Sequence, residues 1–145
     1  MNQFGVEGAF QNGRLHGQSE LFVTIVDQIG GGNSYFHGAY SQVGYSLTGE
    51  ARPYDRKSGT FGRPNPHHAL DCGGLGAWEM AARWSGVDLN DGAINGGELT
   101  TLTAGLNCYL NPQLKFQFNY VNAMHDTGPI DTMSHFYIAR AQLVY

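Results

Sequence analysis

Long hydrophobic runs, positive charge and cysteines are all scarce in this sequence. No stretch approaches the roughly 18 consecutive apolar residues of a membrane-spanning helix, so we expect no such helix. The 8 Lys and Arg are outnumbered by 12 Asp and Glu, and no basic patch of the kind that nucleic acid requires is present. The two cysteines, Cys72 in a loop and Cys108 in a strand, make neither a disulfide framework nor a metal site.

Glycine and aromatic residues are abundant instead. The chain has 21 Gly, 8 Phe and 8 Tyr, a composition that favours strands and turns over helices. Its first residues, MNQFGVEGAF, have no charged segment followed by an apolar one and therefore predict no signal peptide. We expect either that the protein stays inside the cell or that this chain is part of a longer one.

Apolar and polar residues alternate along much of the chain. In LKFQFNYV (114–121) every second residue from Leu114 to Tyr120 is apolar or aromatic, and the residues between are mostly polar, which is the period of a strand with two unlike faces. The same period predicts six further strands: FGVEGAFQ (4–11), GQSELFVTIV (17–26), YFHGAYSQVGYSLTG (35–49), AWEMAARWS (77–85), TLTAGLNCYL (101–110) and FYIARAQLVY (136–145). We expect seven antiparallel strands of an up-and-down β-barrel, in an all-β fold.

Two environments fit strands of this kind. A soluble lipocalin-like barrel would hide the apolar faces inside and bind a small hydrophobic ligand, whereas an outer-membrane barrel turns them towards lipid. The polar faces are mostly Gln, Asn, Thr, Ser, Gly and Tyr, while a soluble surface is about a quarter to a third charged. Trp84, Tyr137 and Tyr145 are expected near strand ends on the apolar face, as in a lipid-facing aromatic girdle. The pattern therefore favours the membrane barrel.

The connections divide into two groups. If Tyr145 lies on the periplasmic side, the tight turns at Asn12–Gly13 and Asn111–Pro112 lie there too, and we expect longer connections at 27–34, 90–97 and 126–131 on the other side. One periplasmic connection, residues 50–76, is far longer than a turn and is expected to lack secondary structure. Loops of that length are uncommon unless they have a function.

This long connection holds half of the chain's positive charge. Arg52, Arg56, Lys57 and Arg63 are four of its eight Lys and Arg. We expect the segment from Arg52 to Arg63 to fold back against the polar face and to line a constriction that contacts anions, since Arg suits bidentate phosphate contact. The alternative is a solvated, partly disordered link. His67 and His68 are adjacent and point apart in an extended chain, so they do not predict a metal site.

Three further cations, Arg83, Lys115 and Arg140, are expected to line the lumen, where they favour anions over cations. For Arg83 the alternative is an ion pair with Glu79 on the same face. We find no set of nucleophile, base and orienting group, so neither a phospholipase-type enzyme of the outer membrane nor any other enzyme is expected, and no metal or cofactor.

Three blocks of the sequence resemble the phosphate-selective porins O and P of Gram-negative outer membranes. They are YSLTGEARPYDRKSGTFGRPNP (45–66), GAWEMAARWSGVDLNDG (76–92) and GLNCYLNPQLKFQFNYV (105–121), followed by a strand that ends in an aromatic residue. The resemblance covers most of the chain from about Gly38 onward.

The resemblance implies a sixteen-stranded, usually trimeric barrel whose basic lumen residues select phosphate and other small anions. This chain then corresponds to the last seven strands, and residues 1–145 form one partial barrel domain. The strand that ends at Tyr145 resembles the signal read by the outer-membrane assembly machinery, and the missing first half would account for the absent signal peptide.

Overall fold

The structure is a computed structural model that describes residues 1–28, 30, 32–70, 73–92, 94–128 and 131–144. In these residues, each element of secondary structure whose first and last residues are defined is a β-strand. The strands are β1 (Asn2–Asn12), β2 (Leu15–Asp27), β3 (Asn33–Ser46), β4 (Tyr54–Asp55), β5 (Thr60–Phe61), β6 (Ala77–Asp91), β7 (Ile94–Tyr109), β8 (Leu114–Asp126) and β9 (Asp131–Leu143).

Seven long strands form a single sheet in the order β1-β2-β3-β6-β7-β8-β9, and each neighbouring pair is antiparallel. The short strands β4 and β5 pair only with each other. The prediction of an all-β, up-and-down meander of seven antiparallel strands is confirmed. Within the described chain the sheet is open, with β1 and β9 at its two edges.

The connections lie at two ends of this sheet. The link end carries the β1–β2 turn, the β3–β6 link (residues 47–76) and the β7–β8 turn, and backbone hydrogen bonds join these connections: Ser46 N donates to Arg14 O, and Leu70 N donates to Leu110 O. The distal end carries the connections β2–β3, β6–β7 and β8–β9. The predicted grouping of turns is therefore correct.

The prediction of a long distal connection at 90–97 is wrong, because most of that segment is strand. Asn90 pairs with Asn95 and Asp91 with Ile94, after a register shift between Asp88 and Asn90. Gly92, with φ of 56°, allows the chain to turn at once. The alternation of polar and apolar residues in β6 and β7 ends before their backbone pairing does. The pairing uses backbone groups of the neighbouring strand, so it does not require alternating side chains.

The predicted aromatic girdle is also wrong for the two described residues. Trp84 lies near the middle of β6 and Tyr137 near the middle of β9, since both strands run beyond the segments in which alternation is visible. Tyr145 lies outside the described residues, as does Cys72.

The register gives the sheet two unlike faces. One row of paired residues across β3, β6, β7, β8 and β9 is Ser46, Glu79, Asn107, Gln117 and Arg140, and it defines the polar face. The adjacent row, on the opposite face, is Tyr45, Met80, Leu106, Phe118 and Ala139. The predicted split of β8, with Phe118 and Tyr120 on one side and Lys115 and Gln117 on the other, is confirmed.

Burial in this chain is the reverse of that in a globular domain. Among the described residues the buried hydrophobic side chains are only Ala77, Cys108 and Tyr109, whereas seven buried residues are polar or charged. Large apolar side chains are exposed instead, including Phe118 at 51% and Tyr137 at 84%. Contiguous apolar surface of this extent marks contact with lipid or protein. The described chain has no helix with the length and hydrophobicity needed to cross a membrane.

Gly76 sets the angle at which the link enters β6. Its φ is +73°, and a Cβ there would lie 2.5 Å from the carbonyl oxygen of Tyr109 and 3.0 Å from Cα of Leu110. Backbone atoms cannot move aside as the end of a side chain can. The link therefore packs on the end of β7 only because this residue has no side chain.

We expect Gly76→Ala to lower the free energy of unfolding by about 2–4 kcal/mol, since the left-handed conformation and the backbone clash both oppose it. Gly73→Ala is the matched control, because Gly73 has a similar φ of +78° with open space around it; it should cost about 1 kcal/mol. Urea titration measures the free energy of unfolding of both variants. Equal losses for the two variants would contradict the close approach at Gly76.

Candidate functional site

The first turn of the β3–β6 link is built around the carboxylate of Glu50, which is only 4% exposed. Hydroxyl groups of Ser46 (3.2 Å) and Thr48 donate to its Oε2, and the backbone N–H of His67 donates to Oε1 at 3.2 Å. The Thr48 hydroxyl oxygen also accepts the N–H of Trp78 at 2.9 Å. Glu50 thus ties the two halves of the link to the start of β6.

These hydrogen bonds decide the protonation state of Glu50. Burial by itself would raise the pKa of this carboxyl group, but the donors from Thr48, His67 and Ser46 favour the carboxylate and lower the pKa below its ordinary value of 4.5. The group is therefore ionised at neutral pH.

The middle of the link forms the hairpin of β4 and β5, so the prediction of a link without secondary structure is wrong. Asp55 accepts hydrogen bonds from the N–H of Lys57 at 2.9 Å and the hydroxyl of Ser58 at 2.8 Å, which closes the turn. The rings of Tyr54 and Phe61 pack 4.9 Å apart, and Phe61 reaches the ring of His16 on β2 at 5.1 Å.

Arg52 joins the link to the polar face. Its Nε donates to Oε2 of Glu79 at 2.7 Å, and its Nη2 donates to Oε1 at 2.9 Å, so the pair is bidentate. Nη2 also donates to the Tyr109 hydroxyl at 2.5 Å, and Gln11 donates to the Arg52 carbonyl at 2.6 Å. The predicted return of this segment to the polar face is confirmed for Arg52 and for the hairpin that reaches His16.

Arg52 and Glu79 both stay ionised although their side chains are largely removed from water. Burial alone would lower the pKa of Arg52, but the hydrogen bonds and the negative charge of Glu79 raise it above its ordinary value. The Glu79 residue is 3% exposed. Removing one partner of such a pair costs about 3–5 kcal/mol, because the other charge is left buried alone.

Neighbouring strands continue the network across the sheet. Asn107 on β7 donates to Oε1 of Glu79 at 2.8 Å, and Gln117 on β8 donates to Oδ1 of Asn107 at 2.8 Å. On β8 the Lys115 ammonium lies 4.7 Å from the centre of the Tyr109 ring, a cation–π contact. These polar side chains share one row or adjacent rows of the polar face.

The structure brings together three of the seven cations predicted from the sequence. Arg52, Arg83 and Lys115 line one cavity of about 340 Å³ on the polar face, with Gln42, Thr103 and Asn119 among its other lining residues. Arg83 stacks on the Tyr40 ring, with Cζ 4.2 Å from the ring centre. The alternative in which Arg83 pairs with Glu79 is wrong, because Arg52, Asn107 and His16 surround that carboxylate.

The other four cations are dispersed. Arg56 lines a separate cavity of about 540 Å³ beside Tyr54 and Phe61, and Lys57 is exposed on the hairpin. Arg63 turns to the β7–β8 turn, where Nη1 donates to the carbonyl of Pro112 at 3.0 Å. Arg140 is exposed on β9. The link cations therefore do not form a single cluster.

Sequence reasoning missed the centre of the site. Strand alternation alone puts Glu79 on one face of β6 and Asn107 and Tyr109 on one face of β7, but nothing in the sequence says that they meet. Fixing the register of β6 against β7 would have found them, because Glu79 pairs directly with Asn107. In the described ranges no group of three or more His, Cys, Asp or Glu side chains is arranged to hold a metal ion.

Comparison with known proteins gives one family and two relatives. The family described as phosphate-selective porin O and P matches residues 2–145. The chain is 36% identical to an uncharacterized protein of Caulobacter vibrioides over 117 residues, covering 81% of this chain and 23% of that protein. It is 27% identical to Porin O of Pseudomonas aeruginosa over 136 residues, covering 85% of this chain and 30% of that porin. The chain thus spans less than a third of either relative.

The Glu50 carboxylate makes the link sensitive to acid. Because its folded pKa is lowered, its contribution to stability is complete above the ordinary value of 4.5 and is lost as the pH falls through the lower folded value. We expect amide protection at residues 46–50 and at His67 to fall about tenfold between pH 6 and pH 3, since a hydrogen bond to a charged group is worth about 1.5–3 kcal/mol.

Hydrogen–deuterium exchange, corrected for intrinsic rates, measures this loss. Glu50→Gln should lack the acid dependence and have low protection at both pH values. Asp55→Asn, which alters only the exposed hairpin turn, is the control and should leave protection at His67 unchanged. An acid dependence that persists in Glu50→Gln would show that another group is responsible.

Proposed function

The chain belongs to the phosphate-selective porin O and P family, and from this premise we propose that it forms part of the wall of an anion-selective channel in the outer membrane of a Gram-negative bacterium. The observation that carries the proposal is the inverted sheet, which exposes large apolar side chains on one face and buries charged and amide groups on the other. A channel wall needs lipid-compatible groups outside and water-compatible groups inside.

The strand dimensions support this placement. The seven long strands have between 11 and 16 residues, and about 9–11 residues tilted by about 45° cross the hydrocarbon layer of a bilayer. We infer that the apolar face contacts lipid, that the link end is periplasmic and that the distal end is extracellular.

The open sheet would be completed by further strands. Unpaired edges at β1 and β9 are not stable within a membrane, because lipid offers no hydrogen bonds to backbone groups. The relatives are more than three times as long as the matched segment. We propose that residues 1–145 are one partial domain that closes a sixteen-stranded, trimeric barrel with other strands, and that β9 and the residues after it engage the outer-membrane assembly machinery.

Anion preference is assigned to fixed cations on the polar face and the link. In the cavity that Arg52, Arg83 and Lys115 line, neutral donors such as Gln42 and Asn119 accompany the positive charges. A unit charge at about 8 Å in a medium of effective dielectric constant near 40 is worth about 1 kcal/mol, or about fivefold in local anion concentration. Arg56, Lys57, Arg63 and Arg140 lie outside this cavity and add positive charge elsewhere on the link and on β9. Phosphate and other small anions are the proposed solutes.

A soluble lipocalin-like binding protein is the second candidate. It would need an enclosed apolar interior, whereas Met80, Leu102 and Phe118 are each more than half exposed. Catalysis has no support either, since the buried carboxylate Glu79 is bound by Arg52 and Asn107 rather than facing a nucleophile. The channel remains the proposal.

The two faces can be tested with neighbouring residues on β7. We expect Thr103→Cys on the polar face to react rapidly with a water-soluble maleimide, and Leu102→Cys on the apolar face to react only with a lipid-soluble one. The variants are made without Cys72 and Cys108, in a chimera in which this chain replaces the segment of Pseudomonas aeruginosa Porin O that it matches. Faster reaction of Leu102→Cys with the water-soluble reagent would contradict a lipid-facing apolar surface.

Anion selection by the link is tested in the same chimera. Changing Arg52, Arg56, Lys57 and Arg63 together to Gln should lower the anion-to-cation permeability ratio several-fold, because fixed cations in a narrow lumen are poorly screened. Reversal potential in a salt gradient measures the ratio. Arg14→Gln, outside the link, is the control cation. An unchanged ratio would assign selection to Arg83, Lys115 and Arg140 or to strands outside this chain.

A further inference from the structure

Glu79 is a carboxylate buried on the face that is proposed to attract anions. Three side chains from three elements contact it: Arg52 from the link, His16 from β2, with Nε2 3.8 Å from Oε2, and Asn107 from β7. Gln117 from β8 donates in turn to Asn107. A negative charge is the last group expected on the wall of an anion channel. The position of Glu79 therefore needs an explanation in terms of function.

Arg52 is unlike the other cations. Among the residues that the structure describes, it is the only Lys or Arg whose side chain forms an ion pair with a side-chain carboxylate. Arg83 and Lys115 contact the rings of Tyr40 and Tyr109 instead, and those contacts leave their positive charge uncancelled. The cavity thus contains one cation that is paired with a carboxylate and two, Arg83 and the largely buried Lys115, that are not.

We propose that Glu79 is a specificity-positioning residue: it anchors the β3–β6 link to the polar face through Arg52 and cancels the charge of Arg52, so that Lys115 and Arg83 act on the permeating anion. The inference rests on the proposed channel function and deepens it. A bound pair of opposite charges has a field that falls off faster than that of a single charge, so Arg52 contributes little beyond its immediate contacts.

The geometry explains why the anchor is placed at Glu79. A bidentate guanidinium–carboxylate pair fixes both distance and orientation, and Arg52 receives further support from the Tyr109 hydroxyl and from Gln11. The hairpin of β4 and β5 follows directly and places Phe61 on His16, beside the same carboxylate. Loss of the pair would free the link at the point where it meets the sheet.

The test uses Glu79→Gln, Arg52→Gln and the double variant in the Porin O chimera, with Glu20→Gln as the matched control. Glu20 lies on the polar face of β2 and pairs in register with Glu7 and Tyr40, so its substitution removes the same charge at a strand position away from the Arg52–Glu79 pair. Two quantities are measured: the anion-to-cation permeability ratio from reversal potential, and the rate at which trypsin cleaves the link after Arg56 and Lys57.

We expect Glu79→Gln to raise the permeability ratio about two- to fivefold, because the charge of Arg52 is then uncancelled, and to accelerate cleavage of the link. Arg52→Gln should lower the ratio and also accelerate cleavage. The double variant should have a ratio near that of the parent chimera but fast cleavage. Glu20→Gln should change the ratio less than Glu79→Gln does and leave cleavage unchanged.

Equal effects of Glu20→Gln and Glu79→Gln on both measurements would overturn the inference, as would unchanged cleavage in the double variant. Glu79→Gln could fail to assemble because it leaves the Arg52 charge buried without a partner. The double variant removes both charges, so its cleavage rate then tests whether the pair anchors the link. A parent chimera without anion preference would instead refute the proposed function, and the cleavage measurements would still decide whether Glu79 anchors the link.

Discussion

The link and the sheet become one unit through the ion pair between Arg52 and Glu79. Each charge alone would be costly at this depth, so the position of either residue requires the other. Asn107 and Gln117 extend the hydrogen bonds of Glu79 to β7 and β8, and Tyr109 connects Arg52 with Lys115. The burial of polar groups at the link end, which a sheet alone could not provide, depends on this contact.

The sheet itself depends on a different constraint, the strict alternation of side chains between its two faces. Each strand of the meander pairs with the next in the chain, so the hydrogen bonds are local in topology and the two faces stay separate over all seven strands. The apolar face lacks a covering layer in the described chain, while the link covers part of the polar face. This asymmetry distinguishes the fold from a two-layer globular domain and agrees with membership of a porin family.

Particular elements show how far sequence reasoning reached. The faces of β8 and the pairing order of the seven strands followed from alternation and short turns, and both are confirmed. The β4–β5 hairpin was missed because its strands have two residues each, too few for any period to be visible. The extension of β6 and β7 to their turn was missed because polar residues such as Asn90 and Asn95 pair through backbone groups, which leave no trace in the side-chain pattern.

The sequence by itself determined the fold class, the order of the strands, the side chains of each face and the concentration of positive charge in the link, because all of these depend on local periodicity, turn residues and composition. Only the tertiary structure decided which charges act together. Arg52 and Glu79 are 27 positions apart, and Arg63, eleven residues after Arg52, turns to a different part of the sheet. Partners at such separations are chosen by the register between strands and the path of the link, and no local pattern encodes either.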